Sequence, residues 1–317
     1  MKRKKISLII PCYNEEKNIK LMYDKCVETF SNKKINVEII FINDGSNDNT
    51  LEELKDLSSI NKIIVKIISF SRNFGKEAAM YAGLEAAEGD YVGIIDCDLQ
   101  QPPEMMLNMI EFIEQNDNYD CVCCYQYIRN ENKIIAFLKS VFYKIITKIS
   151  DIEFVNGASD FRLFRRYVVD AILSLKEKNR FSKGIFNWVG FNTYYMPYTP
   201  DKRVNGKSSF NFKKLFKYAM NGIISFSVAP LRIATYSGLV FAIIAFIYMI
   251  ITIIEKIFFT IDVPGYATLL TCLLFIGSLI LCSIGIVGEY IAKIFIEQKN
   301  RPIYIRKEYI VKDGKND

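Results

Sequence analysis

The sequence predicts an α/β domain on a largely parallel sheet, followed by two helices that cross a membrane. Three observations carry this. Short apolar runs alternate with helical patterns through the first 125 residues, polar and acidic clusters stand directly after those runs, and two long uncharged stretches lie beyond residue 230.

The runs Ile6–Ile10, Val37–Ile42, Val65–Phe70, Tyr91–Ile95 and Cys121–Cys124 read as buried strands, each short and mostly apolar. Between them Asn18–Phe30, Thr50–Leu57, Lys76–Ala87 and Glu104–Ile113 carry helical periodicity. In open α/β sheets ligands lie beyond the carboxyl ends of the strands. Asn14-Glu15-Glu16, Asn43-Asp44-Gly45-Ser46 and Asp96-Cys97-Asp98 all stand there.

Two later segments are amphipathic. Ile134–Ile149 places Ile134, Leu138, Val141, Phe142, Ile145 and Ile149 on one side and Lys144 and Lys148 on the other. It suits either the membrane interface or the domain core. Lys213–Phe226 repeats the design with Lys213, Lys214 and Lys217 and runs into the first apolar stretch, which favours the interface.

Ile233–Ile254 is 22 residues without a charge and Val263–Gly288 is 26. At 1.5 Å per residue each reaches at least about 33 Å, enough to cross a bilayer core. The connector carries only Glu255, Lys256 and Asp262. Lys202, Arg203, Lys207, Lys213, Lys214, Lys217 and Arg232 precede the first span, and Lys293, Lys299, Arg301, Arg306 and Lys307 follow the second. The positive-inside rule then expects both chain ends, and the large domain, in the cytoplasm.

The net charge of +6 is modest and concentrated near the spans, which fits a lipid surface rather than nucleic acid. The eight cysteines lack metal-site spacing and read as small core or span residues in a reducing compartment. There is no histidine. That excludes Ser-His and Cys-His nucleophilic mechanisms and His-ligated zinc, leaving carboxylates, cations and a hard metal.

Asp96 and Asp98 end an uncharged strand, and strand alternation turns both the same way while Cys97 points back. Converging carboxylates repel unless a cation lies between them, and oxygen ligands select Mg²⁺ or Mn²⁺. An isolated Asp-x-Asp is a weak signal, more often a solvated turn.

With its neighbours it is a strong one. IIPCYNEEKNI, IIFINDGSNDNT, SFSRNFGKEAAMYAGLEAAEGDYVGIIDCDLQQPPEM and SDFRLFRR resemble family 2 glycosyltransferases of the polyprenyl-phosphate type. The resemblance to the bactoprenol glucosyltransferases extends through NRFSKGIFNWVGF, the Arg203-x-x-Gly206 segment and GIVGEYIAKIF, and so covers nearly the whole chain. It implies a GT-A nucleotide-sugar-binding domain at 1–210, an interfacial amphipathic helix at 211–230 and a two-helix transmembrane hairpin within 231–296 (about 231–254 and 266–292). A cytosolic tail at 297–317, loose from Glu308 on, completes the expectation.

The resemblance also implies roles. Pro11, Tyr13 and Glu15 match positions around the nucleoside, and Asp44 the acid that binds base or ribose. Asp96 and Asp98 match the metal and diphosphate aspartates, with Gln100 as third metal ligand. Lys76 stands where a phosphate can be reached at a helix N-terminus, beside the plainer reading of a solvated lysine. Arg129 matches a contact to the lipid phosphate with Lys139 as a second, and Arg203 matches the arginine of a mobile loop. Asp160 matches an acid near the reacting centre, with an ion pair to Arg162 or Arg165 as its structural alternative. The chain departs from the pattern at Gln101, at Arg165 or Arg166, and at Ser209, where Lys207 is the nearest lysine.

The implied activity is inverting transfer of a hexose, glucose or N-acetylglucosamine, from a UDP-sugar to undecaprenyl or another polyprenyl phosphate at the cytosolic membrane face. Homo-oligomers through the spans are compatible with it. One rival is a processive polysaccharide synthase, but such enzymes carry Gln-x-x-Arg-Trp where this chain has Gly184-Ile185-Phe186-Asn187-Trp188. The other is a non-catalytic membrane scaffold, which would be expected to have lost the acidic pairs; Asp44, Asp96 and Asp98 all stand.

Overall fold

The computed structural model describes residues 4–31, 33, 35–57, 63–126, 158–201, 224, 227–258 and 265–313. The first amphipathic segment, all of the second but Ile224, and Arg129, Lys139 and Arg203 lie outside the described residues.

The alternation read from the sequence is realised as β1 (Lys5–Cys12), α1 (Ile19–Ser31), β2 (Asn36–Asn43), α2 (Thr50–Asp56), β3 (Ile64–Phe70), α3 (Lys76–Ala86), β4 (Tyr91–Ile94), α4 (Glu104–Gln115) and β5 (Cys121–Gln126). Then come β6 (Ala158–Arg165), α5 (Arg166–Ser174), α6 (Ser182–Trp188), β7 (Thr193–Tyr198), α7 (Ala229–Phe258), α8 (Tyr266–Gln298) and β8 (Arg306–Lys312).

The eight strands form one sheet in the order β7-β5-β6-β4-β1-β2-β3-β8. Its centre, β4-β1-β2-β3, is parallel as expected. The rest is mixed. β6 runs antiparallel between β4 and β5, β7 is parallel to β5, and β8 is antiparallel to β3.

Strand alternation divides the core in two. Ile6, Leu8 and Ile10 of β1 face Met22, Cys26 and Phe30 of α1 and Met106 and Met109 of α4. Ile9 faces the other way, with Ile40 and Ile42, onto Ala79 and Ala82 of α3 and Val168 and Val169 of α5. The small side of α3 lets it lie close on the sheet, and a Cβ at Gly83 would strike Ile9. Six cysteines are buried and all are free thiols. Burial pushes the Cys26 and Cys121 thiols up to about 12, which keeps them inert and supports their reading as core residues.

α7 and α8 are 30 and 33 residues long. Ala229–Ile251 and Cys272–Gln298 are long and apolar enough to cross a membrane, with a mean hydropathy of 2.2 each. Leu239, Ile244, Phe246, Leu273, Leu274 and Leu281 are all more than half exposed, apolar surface that lipid would cover. The helices meet through Phe241 and Phe275, and the Tyr290 hydroxyl donates to Ser227 O at 2.6 Å. The far end of α8 is fastened to the sheet domain: Lys178 and Asn179 donate backbone N–H groups to Glu297 Oε1 at 2.9 and 3.0 Å.

The tail expectation is corrected here. Arg306–Lys312 is not loose but is the edge strand β8, in register from Val65↔Lys312 to Phe70↔Arg306. Its half-exposed, charge-rich sequence is what an edge strand carries, which makes it look like tail.

Candidate active site

The carboxyl ends of β1, β2, β3 and β4 carry the loops that the sequence singles out. The first two are knitted together. Asn14, in the left-handed region at φ 56°, donates its N–H to Ser46 Oγ and accepts from Asn47 N–H. Glu15 N–H donates to Thr50 Oγ1 at 2.8 Å, and Glu16 accepts from Asn49 N–H. Pro11 is half-buried and Tyr13 is exposed beside this seam.

Asp44 is 3 % exposed and braces the next loop. Its Oδ1 accepts from Phe74 N–H at 2.7 Å, and Oδ2 from Gly75 N–H at 2.9 Å and Asn73 Nδ2 at 3.0 Å. Burial raises its pKa, and the two N–H groups and Arg72 offset this only in part. Gly45, at φ +60°, lies so close to Arg72 that no side chain fits. Between these loops lies a polar hollow of about 290 Å³, whose lining includes Asn43, Ser46, Ser69, Arg72, Asn73 and Lys307.

The loop braced by Asp44 delivers Lys76 to the acidic end of the sheet. Its Nζ is 2.6 Å from Asp96 Oδ1 and 3.0 Å from Asp160 Oδ2. Lys76 is thus neither a free solvated lysine nor unattended at a helix end. It bridges two carboxylates. Arg165 pairs instead with Asp117, Arg166 with Asp170, and the Arg162 guanidinium lies over the Phe186 ring, so among the described residues Lys76 is the cation ion-paired with Asp160. Burial opposes ionisation of Asp160, but Lys76 and Lys183 outweigh it and hold the carboxyl well below the usual range. Burial likewise opposes the Lys76 charge, and Asp160 and Asp96 outweigh it and raise the lysine.

Gln101, 5 % exposed, holds the other side of Asp96. Asp96 N–H donates to its Oε1 at 2.8 Å, and its Nε2 donates to Asp96 Oδ2 at 3.0 Å. The turn that follows places Leu99 at φ 62°, an outlier for a leucine, of the kind that clusters at functional sites at a cost of about 1–3 kcal/mol. Cys97 points back into the core, and Asp98 Oδ1 accepts from Gln100 N–H at 3.2 Å. Gln100 O accepts from Asp201 N–H at 3.1 Å, which brings the chain to this turn two residues before Arg203. Beside it lies a hollow of about 430 Å³ lined by Pro102, Met105, Pro197, Tyr198 and Thr199.

Among the described residues no three His, Cys, Asp or Glu side chains converge as a metal cage. The carboxylates at this turn are Asp98 and Asp96, the latter with its oxygens held by Lys76 and Gln101; two carboxylates fit an ion carried by a diphosphate, because Mg²⁺ typically takes one or two and completes its shell with phosphate and water.

One acidic residue next to the bridge has no role assigned from the sequence. Glu77 accepts the Ser182 N–H at 2.8 Å and also the Ser182 hydroxyl. Burial, with Asp160 nearby, pushes its carboxyl up to about 7 against the Ser182 donors and Lys76. The two residues are 105 apart in the chain, so no local pattern joins them.

The model of glycosyl transferase family 2 matches residues 7–173, and that of the GtrB C-terminal hairpin matches residues 229–294. A putative glycosyltransferase of Bacillus subtilis, CsbB, is 43% identical over 308 residues, covering 97% of this chain and 93% of its own. The SfII prophage-derived bactoprenol glucosyl transferase of Shigella flexneri is 43% identical over 305 residues, covering 96% and 98%. Among solved structures, a Mycobacterium tuberculosis glucosyl-3-phosphoglycerate synthase in complex with Mn²⁺, UDP and glucosyl-3-phosphoglycerate is 15% identical. It aligns at a TM-score of 0.49 over 70% of this chain and 78% of its own.

Proposed function

Because the chain belongs to glycosyl transferase family 2 and matches its bactoprenol-type relatives over nearly its whole length, we propose that it moves glucose from UDP-glucose to a polyprenyl phosphate at the cytosolic membrane face. The observation that carries the reading is the lysine-bridged carboxylate centre at the sheet's carboxyl edge, in a chain fused to an apolar hairpin. Of the two favoured sugars, glucose is the one that the bactoprenol glucosyl transferase relatives support. UDP as carrier follows from the family resemblance, and the cytosolic orientation from the basic flanks of the spans.

The chemistry suits direct displacement. A phosphate monoester has a second pKa of about 6, so at pH 7 it is already an anionic nucleophile. No general base is needed, in keeping with a chain without histidine. The lipid phosphate attacks the anomeric carbon opposite the diphosphate, so an α-linked donor gives a β-linked product. The protein's work is to hold two repelling anions in line. Pro11, Tyr13 and Glu15 flank the nucleoside, Asp44 keeps the Arg72–Lys76 loop in place, and Lys76 offers positive charge to the phosphates. Asp160 positions Lys76. Arg129, Lys139 and Arg203 receive the acceptor and donor phosphates. Asp96, Asp98 and Gln100 are the residues that would hold Mg²⁺ or Mn²⁺, which when bound supplies neutralisation of the departing diphosphate.

The test is a panel of radiolabelled UDP-glucose, UDP-N-acetylglucosamine and UDP-galactose with membranes containing the protein and undecaprenyl phosphate. Label should enter the lipid phase from UDP-glucose. Preferential labelling from another sugar would overturn the sugar, and no labelling at all would overturn the reaction.

A further inference from the structure

Lys307 is supplied by a part of the chain that has left the sheet domain, formed both long helices and returned. It is the extra residue in β8: Glu308 pairs with Ser69 and Arg306 with Phe70, so Lys307 has no counterpart on β3. A bulge of this kind bends its strand and re-aims a side chain. Here Lys307 lines the polar hollow at the ends of β2 and β3, as Arg72 does.

Its carrier is firmly fixed. Ser71 N–H donates to Ile305 O at 3.0 Å, and the Tyr304 ring stacks on Phe70 at 4.7 Å with its hydroxyl 2.6 Å from Glu85 Oε2. Further along, Glu308 pairs with Lys55 at 2.7 Å, and Lys312 Nζ donates to the carbonyls of Lys55 and Leu57.

Lys307 makes no ion pair among the described residues, and Arg72 spends one N–H on Asn73 O while lying over the Phe74 ring. The neighbouring acid, Asp44, is buried and already bonded to the loop. The hollow therefore presents two cations together with amide and hydroxyl groups, a lining that suits a ligand rich in carbonyl or anionic oxygens. Its place fixes which part of a donor it takes. Neighbouring strands are about 4.8 Å apart, so the ends of β2 and β3 lie about 10–15 Å from the end of β4, where Asp96 stands. An extended nucleoside diphosphate spans a distance of about this order from the far edge of its base to its β-phosphate.

We propose that Lys307 is a donor-recognition residue: the strand returning from the membrane hairpin completes the nucleoside pocket and hydrogen-bonds an oxygen of the bound nucleotide. The proposal rests on the donor reading above and adds to it a residue beyond the hairpin.

The experiment titrates UDP calorimetrically into the full-length protein in lipid nanodiscs, as wild type, Lys307→Ala, Lys307→Arg and Glu308→Ala. Alongside, KM is measured for UDP-glucose and for undecaprenyl phosphate. Loss of one charge-assisted hydrogen bond corresponds to about tenfold or more in affinity. Lys307→Ala should raise the UDP Kd and the UDP-glucose KM by about that factor, with the lipid KM and the melting temperature unchanged. Lys307→Arg should recover most of the loss. Glu308→Ala, which breaks the ion pair to Lys55 outside the hollow, should leave UDP binding as in wild type. An unchanged Kd in Lys307→Ala overturns the proposal, as does an equal loss in Glu308→Ala, which would assign the effect to strand pairing. A wild type that binds no UDP overturns the donor reading itself, and this proposal with it.

Discussion

Replacing Lys76 by Met keeps the length of the side chain and removes the charge that joins Asp96 to Asp160. Two unit charges 4 Å apart attract by about 4 kcal/mol at an effective dielectric near 20. The lysine is 42% exposed, and solvent reduces fully exposed pairs to about 1 kcal/mol or less. Its partners are less exposed, at 28% and 18%, so the net loss falls between the two limits, at about 1–3 kcal/mol. For a domain of this size about 2 kcal/mol lowers Tm by about 4–8 °C. Catalysis should suffer more, because the carboxylates then face an incoming diphosphate without their counter-charge. Removing one preorganised charge donor costs about 10²–10³ in kcat. The assay is transfer of radiolabelled glucose to undecaprenyl phosphate by protein in nanodiscs, with thermal melts on the same samples. A kcat within about threefold of wild type, with an unshifted melt, would refute the bridge as a functional element.

Three further outcomes are expected. Asp98→Asn should abolish transfer while the melting curve stays as in wild type; wild-type turnover in that variant would remove Asp98 from the chemistry. Arg129→Ala should raise the KM for the lipid acceptor and leave that for UDP-glucose unchanged, as read from initial rates over a lipid titration. Glu77→Gln should change the pH dependence of stability. The folded-state pKa of Glu77 is raised to about 7, so the folded protein holds a proton that the unfolded chain has released, and stability falls as pH rises from the unfolded value of about 4.3 through 7. The loss in wild type is roughly 2–4 kcal/mol by pH 8, and the neutral amide avoids it. Melts at pH 5 and pH 8 should coincide with wild type at the lower pH and exceed it at the higher; equal melts at both would refute the assignment.

The parts of this fold that are legible in the sequence are those governed by local pattern. β1 to β4 and their helices follow from period and length, and each strand begins and ends within a residue or two of its apolar run. Pairing partners are another matter. Nothing in the apolar run of β5 says that β6 will insert beside it, antiparallel, from beyond residue 157. β8 is concealed for a different reason, because an edge strand half open to water carries the charges of a tail.

The site divides in the same way. Asp96, Asp98 and Asp44 are visible because they stand directly after buried apolar runs, where open α/β sheets place ligands, inside stretches that resemble the family. What each carboxylate touches is decided by residues far away. Asp44 turns inward to three donors of the Asn73–Gly75 turn, Lys76 joins β6 to the end of β4, and Glu77 meets Ser182 across the α3–α6 contact. Gln101 stands out in the sequence only as a departure from the family pattern. Its side chain proves to clamp the backbone and carboxylate of Asp96, a role that an aspartate, with no N–H to give, cannot fill in the same way.

The central claim is that this chain places one glucose on a lipid phosphate. Mass spectrometry of the lipid extracted after purified protein, undecaprenyl phosphate and ¹³C-labelled UDP-glucose are incubated together tests it directly. A single species carrying one labelled hexose on the phosphate, with a β anomeric signal by NMR, is the predicted result. A lipid bearing several hexoses, an α-linked product, or unmodified lipid beside consumed donor would contradict it.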